Sequence, residues 1–432
     1  MTVANSAPAL RVQWSDGRLV GKVVSPGPTY FGYAEEWLAQ GYSLSPLSVP
    51  FTPVIFRQRS DGFDQLPGFL SDCLPDQWGR RLMERDFREL HVTPTPLRML
   101  GWVGRRGLGA LSFAPALEEP HSSSAWERVT PLLLAREAQA VMSESAPEAF
   151  RHLRQAGTAG GAYPKATVGL LRDGTLVTGG NVAATRIPGM KLGILKLDVE
   201  DDPLRPSSDG RVEAAYLRMA RAAGIRTVRA HVMSDTASTR PRHHLFVDRF
   251  DLAARNRRLH LLTLAGALHR HNLTYIDLLV ATRDLTSDRA QVLEAVRRMC
   301  FNVRSGNADD HGKNHSFLFD AETDRWKLSP AYDLTPSYSR DRDLRGLFPN
   351  TFGPSPRRQA LADTAAEVGV TPAEFEEIDG EVAAIVARWG EYAERLDVPK
   401  TLVEQATAIQ SELSGSLTAE APARLSRRRP RW

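Results

Sequence analysis

The sequence predicts an α+β fold in two lobes: an α/β N-terminal part with small antiparallel sheets, then an all-helical C-terminal lobe. Three observations carry this expectation. At 432 residues the chain is too long for one hydrophobic core. Before about residue 250, short apolar runs alternate with Gly, Asp and Ser turns, the pattern of strands and hairpins. After about residue 257, apolar residues recur at helical spacing. With 42% hydrophobic and 25% charged residues, wholesale disorder is excluded. The formal net charge of +4 is too small to argue for a nucleic-acid coat.

The elements follow in order. RVQW, the turn at Ser15 to Arg18 and LVGKVV read as a hairpin. FLSDCLPDQWGRRLMERDF (69–87) reads as one helix, with Leu70, Leu74, Trp78, Leu82 and Phe87 on one face and Asp72, Asp76 and Trp78 as cap and core. The Gly-rich stretch 99–115 reads as tight turns rather than a phosphate loop. A linker is expected at 116–130 and a helix at 133–144. ATVGLL and TLVTG bracket Arg172-Asp173-Gly174 as a second hairpin. LGILKLDV (192–199) is a strand, 212–224 a helix ending at Gly224, and TVRAHVMS and HLFVDRFD two more strands. LHLLTLAGALHRHN, TYIDLLVATRDL, ALADTAAEVG, EFEEIDGEVAAIVARWGEYAERL and VEQATAIQSEL then read as helices. The expected units are 1–118, an N-terminal α/β subdomain; 119–250, a sheet-rich part with a Gly-rich loop; 251–416, the helical lobe; and 417–432, a disordered basic tail.

The stretch RSGNADDHGKNHSFLFD (304–320) gathers three Asp, two His and two Asn beside apolar runs, and such groups are costly to bury without partners. Asp309 precedes Asn314 by five residues, the spacing with which a kinase catalytic loop sets a carboxylate for the acceptor hydroxyl and an amide for Mg²⁺. Asp333, in LSPAYDLTP, follows a hairpin made of HSFLFD and RWKLSP and supplies a second hard oxygen ligand. Lys196, mid-strand, needs an anionic partner, and Glu213 in the inserted helix can be one. QAGTAGGAYPKA (155–166) is a candidate phosphate loop, with Gly157, Gly160 and Gly161 for backbone freedom and Lys165 for charge. Each piece alone has an ordinary reading: a polar loop, a snorkelling edge-strand lysine, a turn, a helix-terminal charge. The order Gly loop, strand Lys, helix Glu, helical lobe, D-x₄-N, hairpin, Asp is the order of a kinase fold. HRD, DFG, G-x-G-x-x-G-x-V and Walker A motifs are missing, and no APE follows the D-x₄-N loop, so the fold is a divergent one.

GTAGGAYPKA, GILKLD, FVDRFD, RLHLLTLAGAL, GNADDHGKNHSF and LSPAYDLTP resemble the HipA family of bacterial serine/threonine kinase toxins of type II toxin–antitoxin systems. YSLSPLSVP, FLSDCLPDQWGRRLMERD and LGWVGRRGLGALSF resemble that family's N-terminal subdomain, so the resemblance spans about residues 10–390. It implies a two-lobed kinase-like architecture, with ATP and Mg²⁺ as cofactors. It implies Asp309 as catalytic base, Asn314 and Asp333 as Mg²⁺ ligands, and Lys196 as the catalytic phosphate-binding lysine. The phosphate loop would run through Gly160, Gly161, Ala162, Tyr163, Pro164 and Lys165. His311, Lys313 and Tyr332 would line the nucleotide site, and Asp248, Arg249 and Phe250 would meet adenine. Thr158 stands where the family usually has an autophosphorylated Ser, and its β-branch stiffens it. The implied partners are a helix-turn-helix, HipB-like antitoxin, operator DNA mainly through that antitoxin, and a protein substrate such as an aminoacyl-tRNA synthetase.

Rival readings are a small-molecule kinase, which lacks a unit like 10–115, a scaffold binding antitoxin and DNA, and a metal-dependent nuclease using His311. His243–His244 read as a strand entry, His269 and His271 as a helix end, and RLSRRRPRW as a solvated tail. Two cysteines, Cys73 and Cys300, no recognisable signal peptide and no long apolar run fit a reducing cytoplasm without a membrane partner.

Overall fold

The structure is a computed structural model that describes residues 9–58, 62–117, 126–143, 151–156, 161, 163–179, 188–199, 209–236, 241–254, 257–338 and 346–418. The expectations for Gly157, Thr158, Gly160, Ala162 and most of the basic tail fall outside these residues.

The first unit runs β1 (Ala9–Trp14), β2 (Leu19–Val24), β3 (Tyr30–Tyr33), α1 (Glu35–Leu38), β4 (Phe56–Arg57), α2 (Gly68–Ser71), α3 (Gln77–Glu89), α4 (Pro96–Val103) and β5 (Leu111–Ala114). Its sheet has the order β4-β3-β2-β1-β5. Gly17 at φ +93° makes the expected β1–β2 turn. The helix expected over 69–87 is two helices, because Pro75 lacks a donor and restricts the residue before it.

The second unit runs β6 (Glu127–Val129), α5 (Pro131–Met142), α6 (Arg151–Ala156), β7 (Lys165–Leu170), β8 (Leu176–Thr178), β9 (Lys191–Lys196), α7 (Gly210–Ala222), β10 (Ala230–Asp235) and β11 (Arg242–Asp248). The sheet order is β10-β11-β9-β7-β8-β6. The end of the expected linker is therefore a strand, β6, paired with β8. β9 is central, flanked by β11 and β7, so Lys196 is not an edge-strand residue.

The third unit runs β12 (His260–Thr263), α8 (Leu264–Leu268), α9 (Tyr275–Thr286), α10 (Arg289–Ser305), β13 (Ser316–Asp320), β14 (Arg325–Leu328), α11 (Leu347–Phe352), α12 (Arg358–Ala366), α13 (Pro372–Val386), α14 (Trp389–Glu394) and α15 (Lys400–Thr418). This lobe is mainly helical but not wholly so. The expected β13–β14 hairpin gains β12, which pairs His260 with Phe319 and Thr263 with Ser316. LHLLT, expected as the start of a helix, is that strand; a short apolar run does not separate the two conformations. The helix expected from EFEEI to AERL is broken between α13 and α14.

The cores interlock. The first unit's core takes in Leu262, Ala267 and Phe319 from the third. Phe63 of the first unit and most of the buried face of α7 lie in the core of the helical lobe. Trp78 and Leu82 of α3 join the core under the second sheet. Among the described residues no helix is long and apolar enough to cross a membrane.

Candidate active site

The upper wall of the site is the end of β7 and β9. Lys165 and Lys196 are register partners across these strands. Like charges placed directly opposite are unfavourable, so the pair calls for anions. Two carboxylates answer Lys196. Its Nζ donates to both oxygens of Glu213, at 2.7 and 2.6 Å, and to Asp333 Oδ1 at 2.7 Å. Glu213 is 1% exposed on the first turns of α7, a helix whose N-terminal Gly210 packs against the backbone of β11. Burial works against the charge on Lys196, but Asp333 and Glu213 outweigh it and raise its pKa. Lys165 is more deeply buried, and burial together with Lys196 lowers its pKa to about 8.

Asp333 comes from the segment after β14. Ala331 bridges Thr227 there, and its amide donates to Arg226 O at 2.7 Å, which fixes the segment to the chain after α7. Asp333 has φ +56°, a left-handed conformation uncommon outside glycine, and such backbones cluster at functional sites. Burial would push its carboxyl up, but Lys196 and Lys165 hold it well below the ordinary range.

The lower wall is the loop between α10 and β13. Gly306, at φ +74°, ends α10. Asp309 is exposed, and its carbonyl accepts from Asn314 Nδ2 at 2.9 Å. The amide oxygen of Asn314 is thereby turned to another direction. Lys313 pairs with Asp76, and its carbonyl accepts from Tyr332 Oη at 2.6 Å. Buried His311 Nδ1 has no hydrogen-bond partner among the described residues. Asp310, next to Asp309, is 1% exposed. It accepts from Tyr275 Oη and from Phe348 N at 3.1 Å, so it ties the loop to α9 and α11. Burial pushes its pKa up to about 7.

Among the described residues no group of three His, Cys, Asp or Glu could hold a metal ion. The donors at hand are one carboxylate, Asp333, and one amide oxygen, Asn314. That set fits Mg²⁺, which takes a few protein oxygens and completes its shell with phosphate and water.

Other expected residues sit as follows. Gly161 has φ +111°, a conformation that suits glycine, and Tyr163 and Pro164 lead into β7. Asp248 ends β11, and Phe250 stacks on Tyr332 with ring centroids 5.2 Å apart. The guanidinium of Arg249 turns inward, onto Asp251 at 2.9 and 2.6 Å, so any nucleotide contact of this residue would fall to its backbone or stem. His244 is buried, with Nδ1 accepting from Asp198 N at 3.0 Å, and His243 bonds Ser234. His269 caps α8, and His269 and His271 both stack on Phe63. Cys73 and Cys300 are unbridged.

Sequence reasoning missed three carboxylates. Asp310 was overshadowed by Asp309. Asp72 and Asp76 read as caps, yet each reaches another unit. Asp72 accepts from Thr263 N at 2.7 Å and from its hydroxyl at 2.8 Å, and Asp76 reaches Gly161 and Lys313. A Pro-flanked acidic residue before a helix gives no local sign of such partners.

Residues 11–114 match the HipA N-terminal domain, and residues 157–389 match the HipA-like C-terminal domain. The chain is 28% identical over 346 residues to the "Putative kinase Y4mE" of Sinorhizobium fredii, covering 74% of this chain and 76% of that protein. Its structure resembles HipA from the Shewanella oneidensis MR-1 complex of HipA, HipB and operator DNA, with a TM-score of 0.66 and 16% identity over 94% of this chain and 96% of that one. That likeness establishes a shared fold, and the domain matches cover more than half of the sequence: the chain belongs to the HipA family.

Proposed function

We propose that the chain is an ATP- and Mg²⁺-dependent serine/threonine protein kinase and the toxin of a HipA-like toxin–antitoxin system. The single observation that carries this reading is the cross-strand pair Lys165–Lys196, neutralised by Glu213 and Asp333 and facing the Asp309–Asn314 loop. Convergent cations, a buried helix Glu and hard oxygen donors suit a triphosphate, and a scaffold has no physical need of them. The name of the Sinorhizobium relative supports kinase activity. The HipB and operator DNA of the Shewanella complex support an antitoxin partner that brings the DNA. An aminoacyl-tRNA synthetase as substrate rests on the family resemblance alone.

In this reading an acceptor hydroxyl oxygen bonds to the γ-phosphorus while the bond from that phosphorus to the β–γ bridging oxygen breaks. ADP leaves with that oxygen, and the hydroxyl proton passes to the Asp309 carboxylate. Lys196 binds the phosphates and is oriented by Glu213, while Lys165 adds positive charge beside it. Asn314 and Asp333 would hold Mg²⁺, which supplies charge neutralisation to the phosphates when bound. Catalysis is then mostly positioning and electrostatics.

The test is intact mass after incubation with ATP and Mg²⁺, first alone and then with cell lysate, for wild type and Asp309→Asn. Phosphate transfer by the wild type only is the expected result, with peptide mapping to ask whether Thr158 receives it. Retained nucleotide binding with no phosphate transferred to itself or to any lysate protein would leave a binding scaffold and sink the kinase.

A further inference from the structure

We propose that Asp76 is a positioning residue for phosphate transfer: from the first unit it ties the Gly-rich loop at Gly161 to the catalytic loop at Lys313. The inference rests on the kinase reading above and adds a third unit to its active site.

Asp76 stands at the N-cap of α3 with extended backbone angles, yet its side chain makes no capping bond. A capping Asp ordinarily accepts from an amide two or three residues on. Here both carboxylate oxygens are spent elsewhere. Oδ2 accepts from Gly161 N at 2.7 Å, 85 residues away, and Oδ1 accepts from Lys313 Nζ, 237 residues away. The same helical turn holds this stretch a second and a third time. Trp78 N donates to Gly161 O at 3.4 Å, and Trp78 Nε1 donates to Lys165 O at 2.9 Å. Trp78 is 1% exposed in the core beneath the second sheet, so the turn is itself anchored.

Gly161 is therefore held at both its N–H and its C=O. A carboxylate that merely occupied the phosphate position would need only the N–H. The room is tight as well. A Cβ at Gly161 would lie 2.1 Å from Lys165 Nζ, so the lysine ammonium rests against the glycine backbone. Lys313 and Lys165 both favour the charged form of Asp76 and hold its carboxyl below the ordinary value against the effect of burial. One side chain thus sets the spacing between an upper-wall backbone and a lower-wall cation.

The test uses the full chain with Asp76→Ala and Asp76→Asn. Asn keeps an acceptor for Gly161 N–H and loses the charge facing Lys313; Ala loses both. Hydrogen exchange of the peptide carrying Gly161, without nucleotide, should be fastest in Ala and intermediate in Asn. The KM for ATP should rise about tenfold in Ala, with a smaller fall in kcat, as expected for a lost charge-assisted hydrogen bond. With Lys313→Met added, the two KM effects should be less than multiplicative. Unchanged exchange in both variants overturns the clamp, whatever the protein catalyses. A fall in KM overturns it too, because the carboxylate would then be a competitor of phosphate. A wild type that binds no Mg-ATP refutes the kinase reading instead, and the exchange result still decides whether Asp76 orders Gly161.

Discussion

The lysine of the upper wall and the paired aspartates of the lower wall are placed in different ways. On the upper wall an ammonium meets carboxylates: Lys196 takes Glu213 and Asp333. On the lower wall two adjacent aspartates are sorted by burial. Asp309 faces solvent, whereas Asp310 is enclosed by Tyr275 and the N-terminus of α11. Ion pairs place the upper groups, with Lys196 shared between two carboxylates. Hydrogen bonds accepted by buried Asp310 hold the loop that carries Asp309, whose own side chain stays exposed. One residue type is thus left exposed at position 309 and used as a structural acceptor at 310.

The largest break in this contrast should come from Asp309→Asn. Turnover should fall by about 10³-fold, the scale of a lost general base, while nucleotide affinity stays nearly unchanged. Comparing ATP turnover with equilibrium binding would check it. On the upper wall, Lys196→Met should cut kcat/KM by about 10²-fold. It should also destabilise the fold by about 3 kcal/mol, because two carboxylates lose their cation, and urea unfolding would show it. Glu213→Gln should do less on both counts, since Asp333 still pairs with the lysine.

A pH series sharpens the comparison. The pKa of Asp310 is raised from 3.8 to about 7 in the folded chain. Between those values the folded state holds a proton that the unfolded state has released, so stability falls as pH rises from about 4 to 7. Asp310→Asn should remove that slope, gaining on the wild type across the window in urea titrations at stepped pH. The smallest effect belongs to Lys165, lowered from 10.5 to about 8. The affinity of the free enzyme for ATP should weaken as pH rises through about 8, and Lys165→Met should flatten that part of the profile.

Much of the site was legible because its signals are local. D-x₄-N lies within one loop, the β13–β14 hairpin within thirteen residues of chain, and Lys196 and Glu213 are 17 residues apart. The unread parts are long-range. Nothing near Asp76 announces Lys313, and LHLLT becomes a strand only because Phe317 and its neighbours offer an edge. Arg249 looked like a site residue because of where it stands in the chain; the structure spends its guanidinium on Asp251, which also accepts from Gly109 N at 2.7 Å. A packing partner two units away leaves no period in the sequence.

The interlocked cores have a consequence for biosynthesis. The apolar face of the first unit is finished by Leu262, Ala267 and Phe319, and Phe319 emerges about 200 residues after that unit ends. At typical elongation rates the ribosome exposes that incomplete face for roughly ten to forty seconds before the residues that cover it exist. This unit is therefore sealed long after it is made, which gives a timed window in which a chaperone, or a misplaced copy of the chain, can reach the uncovered surface.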